Sequence, residues 1–203
     1  MCGRFFISED DKAEEMQRII DMLNRKALEG SALKTSGEIF PTDTVPVIAN
    51  NKNLKPMPFA MEWGYMASDG RRLINARSET ASKKPTFRDS VLRRRCIIPA
   101  SHYFEWEHHG KRKTKYAIRP VSNDPMYMAG IYRREGDRFV FTILTREPAE
   151  NIAFIHDRMP VILPYAAKDD WLNPKYKADD IIKTAVTDVM YTPENPDLLT
   201  MYQ

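Results

Sequence analysis

The run Tyr103-Phe104-Glu105-Trp106-Glu107-His108-His109-Gly110-Lys111 decides the fold class. Over 103–107 the side chains alternate with the two-residue period of a strand, so Tyr103, Glu105 and Glu107 share one face and Phe104 and Trp106 the other. The polar cluster ending in Gly110-Lys111 marks a chain reversal, and a second run rich in β-branched and aromatic residues follows at 116–119. The segment therefore predicts an antiparallel hairpin. The same signature recurs outward along the chain at 45–49, 96–99, 127–132, 139–144 and 161–163, with Arg134-Glu135-Gly136-Asp137 as a second hairpin turn. Three- and four-residue spacing of Ala13, Met16, Ile20, Leu23 and Ala27, between a capping box at Ser8 and Asp11 and a stop at Gly30, predicts one helix over 9–29. Shorter helices are expected at 88–94, 148–154 and 167–172. With no repeat, linker or low-complexity stretch, the expectation is a single α+β domain over 1–203. Its sheet is largely antiparallel and curled, with a few flanking helices.

A chain of 203 residues can bury roughly 70% of its unfolded surface, enough for a core without staples. Hydrophobic residues at 42% and charged residues at 29% exclude disordered, collagen-like and disulfide-scaffold classes. The longest apolar stretches, around 95–100 and 159–164, fall far short of the ~20 residues of a membrane span. The N-terminal stretch lacks the apolar core of a secretory signal, which places the chain in the cytoplasm, where Cys2 and Cys96 stay reduced. The net charge of +3 permits a polyanionic partner without demanding one. Basic runs at Arg71-Arg72, Arg93-Arg94-Arg95 and Lys111-Arg112-Lys113 read equally as a one-sided basic face or as solvated charge. Neither a CxxC pair nor an HExxH helix is present, so no metal and no cofactor is expected, and the chain is expected to act as a monomer.

Cys2, directly after the initiator, is the first residue with unusual chemistry. Removal of Met1 would leave an α-amine and a thiol on adjacent carbons. Such an amine, with a reference pKa of about 7.7–8.0, condenses with an aldehyde to an imine, and the thiol then closes a five-membered thiazolidine. Three further segments carry polar groups suited to that reaction: Leu73-Ile74-Asn75-Ala76-Arg77, Arg95 to Trp106 with Glu105 inside an aromatic strand, and Ile155-His156-Asp157-Arg158-Met159-Pro160. Glu105 reads as a solvated strand carboxylate or, against an apolar wall, as a proton shuttle of raised pKa. His156 reads as a loop histidine or as a group that opens a sugar hemiacetal. Asn75 reads as a turn residue or as an amide that holds the α-amine.

In order along the chain, Met1-Cys2-Gly3-Arg4-Phe5, Glu38-Ile39-Phe40-Pro41-Thr42-Asp43 and the three segments above resemble the SRAP (SOS response-associated peptidase) family, whose members crosslink to abasic sites in single-stranded DNA. The resemblance implies a pseudo-barrel form of the curled sheet. It also implies that Cys2 is the nucleophile after loss of Met1, that Asn75, Glu105 and His156 complete the catalytic set, and that abasic single-stranded DNA is the partner. Arg4, Arg77 and Arg158 carry guanidinium groups suited to phosphate, a role the resemblance supports for Arg4 and Arg77 more than for Arg158. Trp63 and Pro41 are read either as packing residues or as groups stacking on a base and a sugar. The segment Tyr65-Met66-Ala67-Ser68-Asp69-Gly70 departs from the family pattern after Trp63-Gly64, and His102 stands where the family commonly has a small or acidic residue, which would set a second imidazole near Glu105. Two other functions fit part of the sequence: a glutamine amidotransferase-like amidohydrolase with an N-terminal cysteine, and a noncovalent single-stranded DNA-binding module in which Cys2 is inert. The first lacks the Asn-Gly-Asp type oxyanion segment of its class.

Overall fold

A computed structural model describes residues 2–8, 33–110 and 112–194; the helix expected over 9–29 lies outside the described residues. In chain order the strands are β1 (Arg4–Ile7), β2 (Gly37–Ile39), β3 (Thr44–Asn50), β4 (Pro56–Trp63), β5 (Tyr65–Met66), β6 (Arg72–Leu73), β7 (Asn75–Arg77), β8 (Arg95–Ala100), β9 (His102–His109), β10 (Arg112–Pro120), β11 (Met126–Glu135), β12 (Arg138–Arg146), β13 (Met159–Pro160), β14 (Ile162–Leu163) and β15 (Val189–Pro193). The helices are α1 (Ser78–Ala81), α2 (Pro85–Arg93), α3 (Lys168–Leu172) and α4 (Ala178–Ile182). None of them is long and apolar enough to cross a membrane.

Both expected hairpins form. Strands β9 and β10 pair across Gly110, and β11 and β12 pair across Gly136; each glycine takes a φ of +59°, a left-handed conformation that costs glycine little. The first hairpin belongs to a five-stranded antiparallel sheet in the order β15-β10-β9-β1-β2. The second closes a ring, because β12 pairs with β11 on one edge and with β4 on the other, while β4, β3, β8 and β11 pair in succession. Closure leaves these five strands with partners on both sides. The β12–β4 junction is parallel, and past it the same edge of β12 takes β7, also parallel, in the register Ile143↔Asn75 and Thr145↔Arg77.

One buried cluster joins the ring to the five-stranded sheet through Phe5, Ile7, Ile39, Tyr103 and Ile118 from the sheet and Val45, Met61, Trp63, Ile98 and Phe141 from the ring. The alternate residues of the ring strands, such as Ile97, Ala129, Ile131 and Leu144, pack with Phe87 of α2 and Trp171 and Leu172 of α3. Arg95 ties this second layer down. Its buried guanidinium donates to the carbonyls of Asn173 and Tyr176 at 2.6 and 3.1 Å and lies over the Trp171 ring, while the Trp171 indole N–H reaches the Cys96 carbonyl at 2.8 Å.

The helix expected over 148–154 is instead a single 3-10 turn at Glu150–Ile152. Tertiary bonds replace a helical ladder there: Ala149 N–H meets the Met159 sulfur at 3.2 Å and Asn151 Nδ2 donates to the Val189 carbonyl at 2.7 Å. Gly130 of β11 faces the crowded side of the ring. A Cβ added there would sit 2.3 Å from Ile98 Cδ1, 3.0 Å from Cys96 Sγ and 3.2 Å from the Thr142 carbonyl oxygen. Gly130→Ala is therefore expected to lower stability by about 1–3 kcal/mol, measured by urea unfolding, whereas Gly70→Ala, which meets no neighbour within 4 Å, should show only the strain of its positive φ.

Candidate active site

Cys2 opens onto β1, which runs between β2 and β9, so the start of the chain is held from both sides. The residue is fully buried. Its thiol faces the Arg4 carbonyl at 3.7 Å, and its own carbonyl accepts a hydrogen bond from Asn75 Nδ2 at 2.8 Å. Asn75 reaches this position because β7 rides on β12; nothing local in 73–77 would carry it to residue 2. Asn75 Oδ1 is buried and has no hydrogen-bond partner among the described residues.

Glu105 lies on β9 and is 3% exposed. Its cross-strand neighbours run Phe104↔Arg4 and Tyr103↔Phe5 toward β1 and Glu105↔Tyr116 toward β10. Burial raises its pKa above the usual carboxylate range, and the charges of the amino terminus and His156 pull the other way. The Cys2 thiol is pushed far up, first by burial and then by the nearby Glu105 charge, so it is held as the neutral thiol. Tyr103, two residues before Glu105 on the same face, is fully buried, and burial with the charges of Cys2 and Glu105 holds its phenol well above the ordinary value.

His156 follows the 3-10 turn. Its Nδ1 lies 3.0 Å from the backbone N of Arg158 and 2.8 Å from Asp157 Oδ1. A neutral imidazole accepts from Arg158 N–H there, and a protonated one donates to Asp157, so one nitrogen faces a donor and an acceptor. Four segments far apart in the chain thus bring Cys2, Asn75, Glu105 and His156 together. Phe154 stands beside His156, half exposed, with its ring edge-on to Tyr116 and Tyr191 at 6.0 and 5.3 Å.

The residues expected at DNA divide. Arg77 is exposed at the end of β7. Arg4 lies on the opposite face of β1 from Phe5, partly exposed, paired with Glu38 at 3.1 Å and set over the rings of Phe40 and Trp106. Pro41 is half-buried in a tight turn whose next residue, Thr42, takes a φ of +79°. Two expectations are corrected. Trp63 is fully buried, its ring 5.2 Å from Phe5 and stacked on Phe141 at 6.2 Å, with the indole N–H on the Ile74 carbonyl at 2.9 Å; it packs the core, because a buried indole donor needs the partner it has found. Arg158 is 8% exposed and committed inward, bidentate to Glu79 at 2.8 Å and on the Thr145 carbonyl at 2.7 Å, where it fixes the loop that carries His156. His102 is also not beside Glu105. It lies on the other face of β9, stacked on Phe6 at 5.0 Å.

Tyr103 is the site residue that motif reading passes over. Alternation alone places it on the face of Glu105, but its role depends on Cys2, 101 residues away in sequence, being folded beside it. A buried neutral thiol, a carboxyl of raised pKa and an amide gripping the backbone of residue 2 form a site able to move protons out of bulk water.

The family model described as SOS response associated peptidase (SRAP) matches residues 1–203. The abasic site processing protein YoqW of Bacillus subtilis (strain 168) is 33% identical over 226 residues, covering 98% of this chain and 99% of that protein. The abasic site processing protein YedK of Escherichia coli (strain K12) is 30% identical over 131 residues, 62% of this chain and 59% of its own. Among solved structures, a protein from Bacteroides thetaiotaomicron superposes with a TM-score of 0.76 at 23% identity, over 98% of this chain and 94% of that one, a likeness of fold. By a family model that spans its whole length, the chain belongs to the SOS response associated peptidase (SRAP) family.

Proposed function

We propose that this protein captures abasic sites in single-stranded DNA covalently, through the α-amine and thiol of Cys2 after Met1 is removed. The observation that carries the reading is a buried residue 2 whose carbonyl is held by Asn75 and whose thiol feels the Glu105 charge, with His156 acting on Glu105 in turn. The names of the relatives, abasic site processing proteins, support the lesion as substrate.

His156 acts first, on the closed sugar, helping the hemiacetal open to the C1′ aldehyde. The amine of Cys2 adds to that carbon and gives a carbinolamine. Glu105, whose protonated form burial favours, donates a proton to the carbinolamine hydroxyl; the C–O bond breaks, water leaves, and the nitrogen lone pair forms the iminium. The Cys2 sulfur then attacks the iminium carbon, and its proton passes to the carboxylate just formed on Glu105. Amine, aldehyde and thiol become thiazolidine and one water, with Glu105 returned to its starting state. A thiol held neutral by burial needs such a base at the moment of attack. Arg4 and Arg77 lie at the site's edge, where exposed guanidinium groups would neutralise phosphates.

Cys2→Ala keeps the amine and should lose the heat-stable adduct with an abasic oligonucleotide; Cys2→Ser should leave at most a labile imine. A denaturing gel after heating reads this, and an undiminished stable adduct in Cys2→Ala would overturn the thiazolidine route. Glu105→Gln should slow formation and reversal roughly 10²- to 10⁴-fold in single-turnover assays, while His156→Ala should slow chiefly formation. Because the folded-state pKa of Glu105 is raised, its contribution to stability is present at low pH and is lost as pH rises through that value. The melting temperature of Glu105→Gln relative to wild type should therefore climb as pH rises from acid to neutral, measured by thermal unfolding across that range.

A further inference from the structure

Tyr103 carries a polar atom that the fold does not use. The side chain is fully buried between Phe5 of β1 and Ile118 of β10, and its hydroxyl has no hydrogen-bond partner among the described residues. Leaving a buried O–H unpaired costs stability, and phenylalanine would fill the same space without that cost. Ring packing therefore accounts for the aromatic ring and not for its oxygen. The side chain shares Glu105's face of β9 and a buried cluster with Cys2, and its phenol feels the charges of both.

We propose that the Tyr103 hydroxyl is the contact for the oxygen that leaves C1′ as water when the imine forms and that returns when the crosslink is hydrolysed. This rests on the covalent-capture reading above. The phenol donates a hydrogen bond to the carbinolamine hydroxyl while Glu105 delivers the proton that turns it into water. In reversal the phenol holds the incoming water, Glu105 removes its proton as oxygen adds to the iminium carbon, and the C=N electron pair returns to nitrogen. Tyr103 neither gains nor loses a proton in either direction, as befits a phenol held neutral by burial. A small, neutral, hydroxyl-bearing group is the class of ligand such a contact takes.

The test is Tyr103→Phe, in single-turnover formation and hydrolysis of the crosslink with an abasic single-stranded oligonucleotide, beside a thermal melt. Loss of one hydrogen bond in the transition state should slow both directions about 3- to 10-fold at saturating DNA. The DNA concentration giving half the maximal rate should stay unchanged, and the melting temperature should equal or exceed that of wild type. Wild-type rates in both directions would overturn the proposal. So would a slower variant whose melting temperature falls, since the hydroxyl would then be a structural donor. A wild-type protein that forms no crosslink would instead remove the covalent-capture reading, and the proposal with it.

Discussion

The hydrogen bond from Asn75 Nδ2 to the Cys2 carbonyl, 2.8 Å long, is the constraint on which the site depends. A reactive group at a chain end has covalent support on one side only, and terminal residues fray unless tied down. Here β1 is paired on both edges, and the amide of Asn75, on a strand held by β12, grips Cys2 two residues ahead of it. Asn75 can do this only because the β12–β7 pairing is parallel and in register, which in turn needs the ring of β12, β4, β3, β8 and β11 to close. The position of one thiol thus rests on pairings between strands far apart in the chain.

Anchoring alone would place the thiol without making it useful, and burial supplies the rest. Removing Cys2 and Glu105 from water disfavours the charged form of each and raises both pKa values, the thiol's far enough to keep it neutral. For a nucleophilic cysteine that acts alone, such a shift would be inhibitory. In the capture we propose it is compatible with chemistry, because there the amine attacks first and the carboxyl that has given up its proton can take the thiol's. The same low-polarity surroundings explain why Arg158 turns inward. By satisfying Glu79 and the Thr145 carbonyl it holds the loop from which His156 approaches, and a buried guanidinium without those acceptors would be costly.

Much of the fold was legible in the sequence, for local reasons. The hairpins at Gly110 and Gly136 follow from period-two alternation and turn chemistry, and the strands over 45–49, 96–99 and 127–132 extend by only a residue or a few at their ends. Two- and three-residue strands such as β5, β6 and β7 are too short to show a period, so Asn75 read as a turn residue although a non-local pairing makes it part of a sheet. Cys2, Glu105 and His156 were legible as ordered motifs, while their convergence was not. The roles of Trp63 and Arg158 stay ambiguous in sequence for one reason: an aromatic or cationic side chain suits DNA or a core equally until its partner is known, and the Ile74 carbonyl and Glu79 are partners that spacing does not reveal. Sequence places Tyr103 two residues before Glu105 on the same strand face, but an unpaired hydroxyl is a property of packing alone.

The central claim is that both functional groups of residue 2 join the lesion. It is tested most directly by forming the adduct with an abasic single-stranded oligonucleotide, unfolding it, alkylating its thiols and mapping the peptides by mass. The account predicts an adduct on a terminus that begins at Cys2, with the mass of protein plus oligonucleotide less one water, in which Cys96 is alkylated and Cys2 is not. An adduct in which Cys2 is alkylated along with Cys96, or one attached to a terminus that keeps Met1, would contradict it.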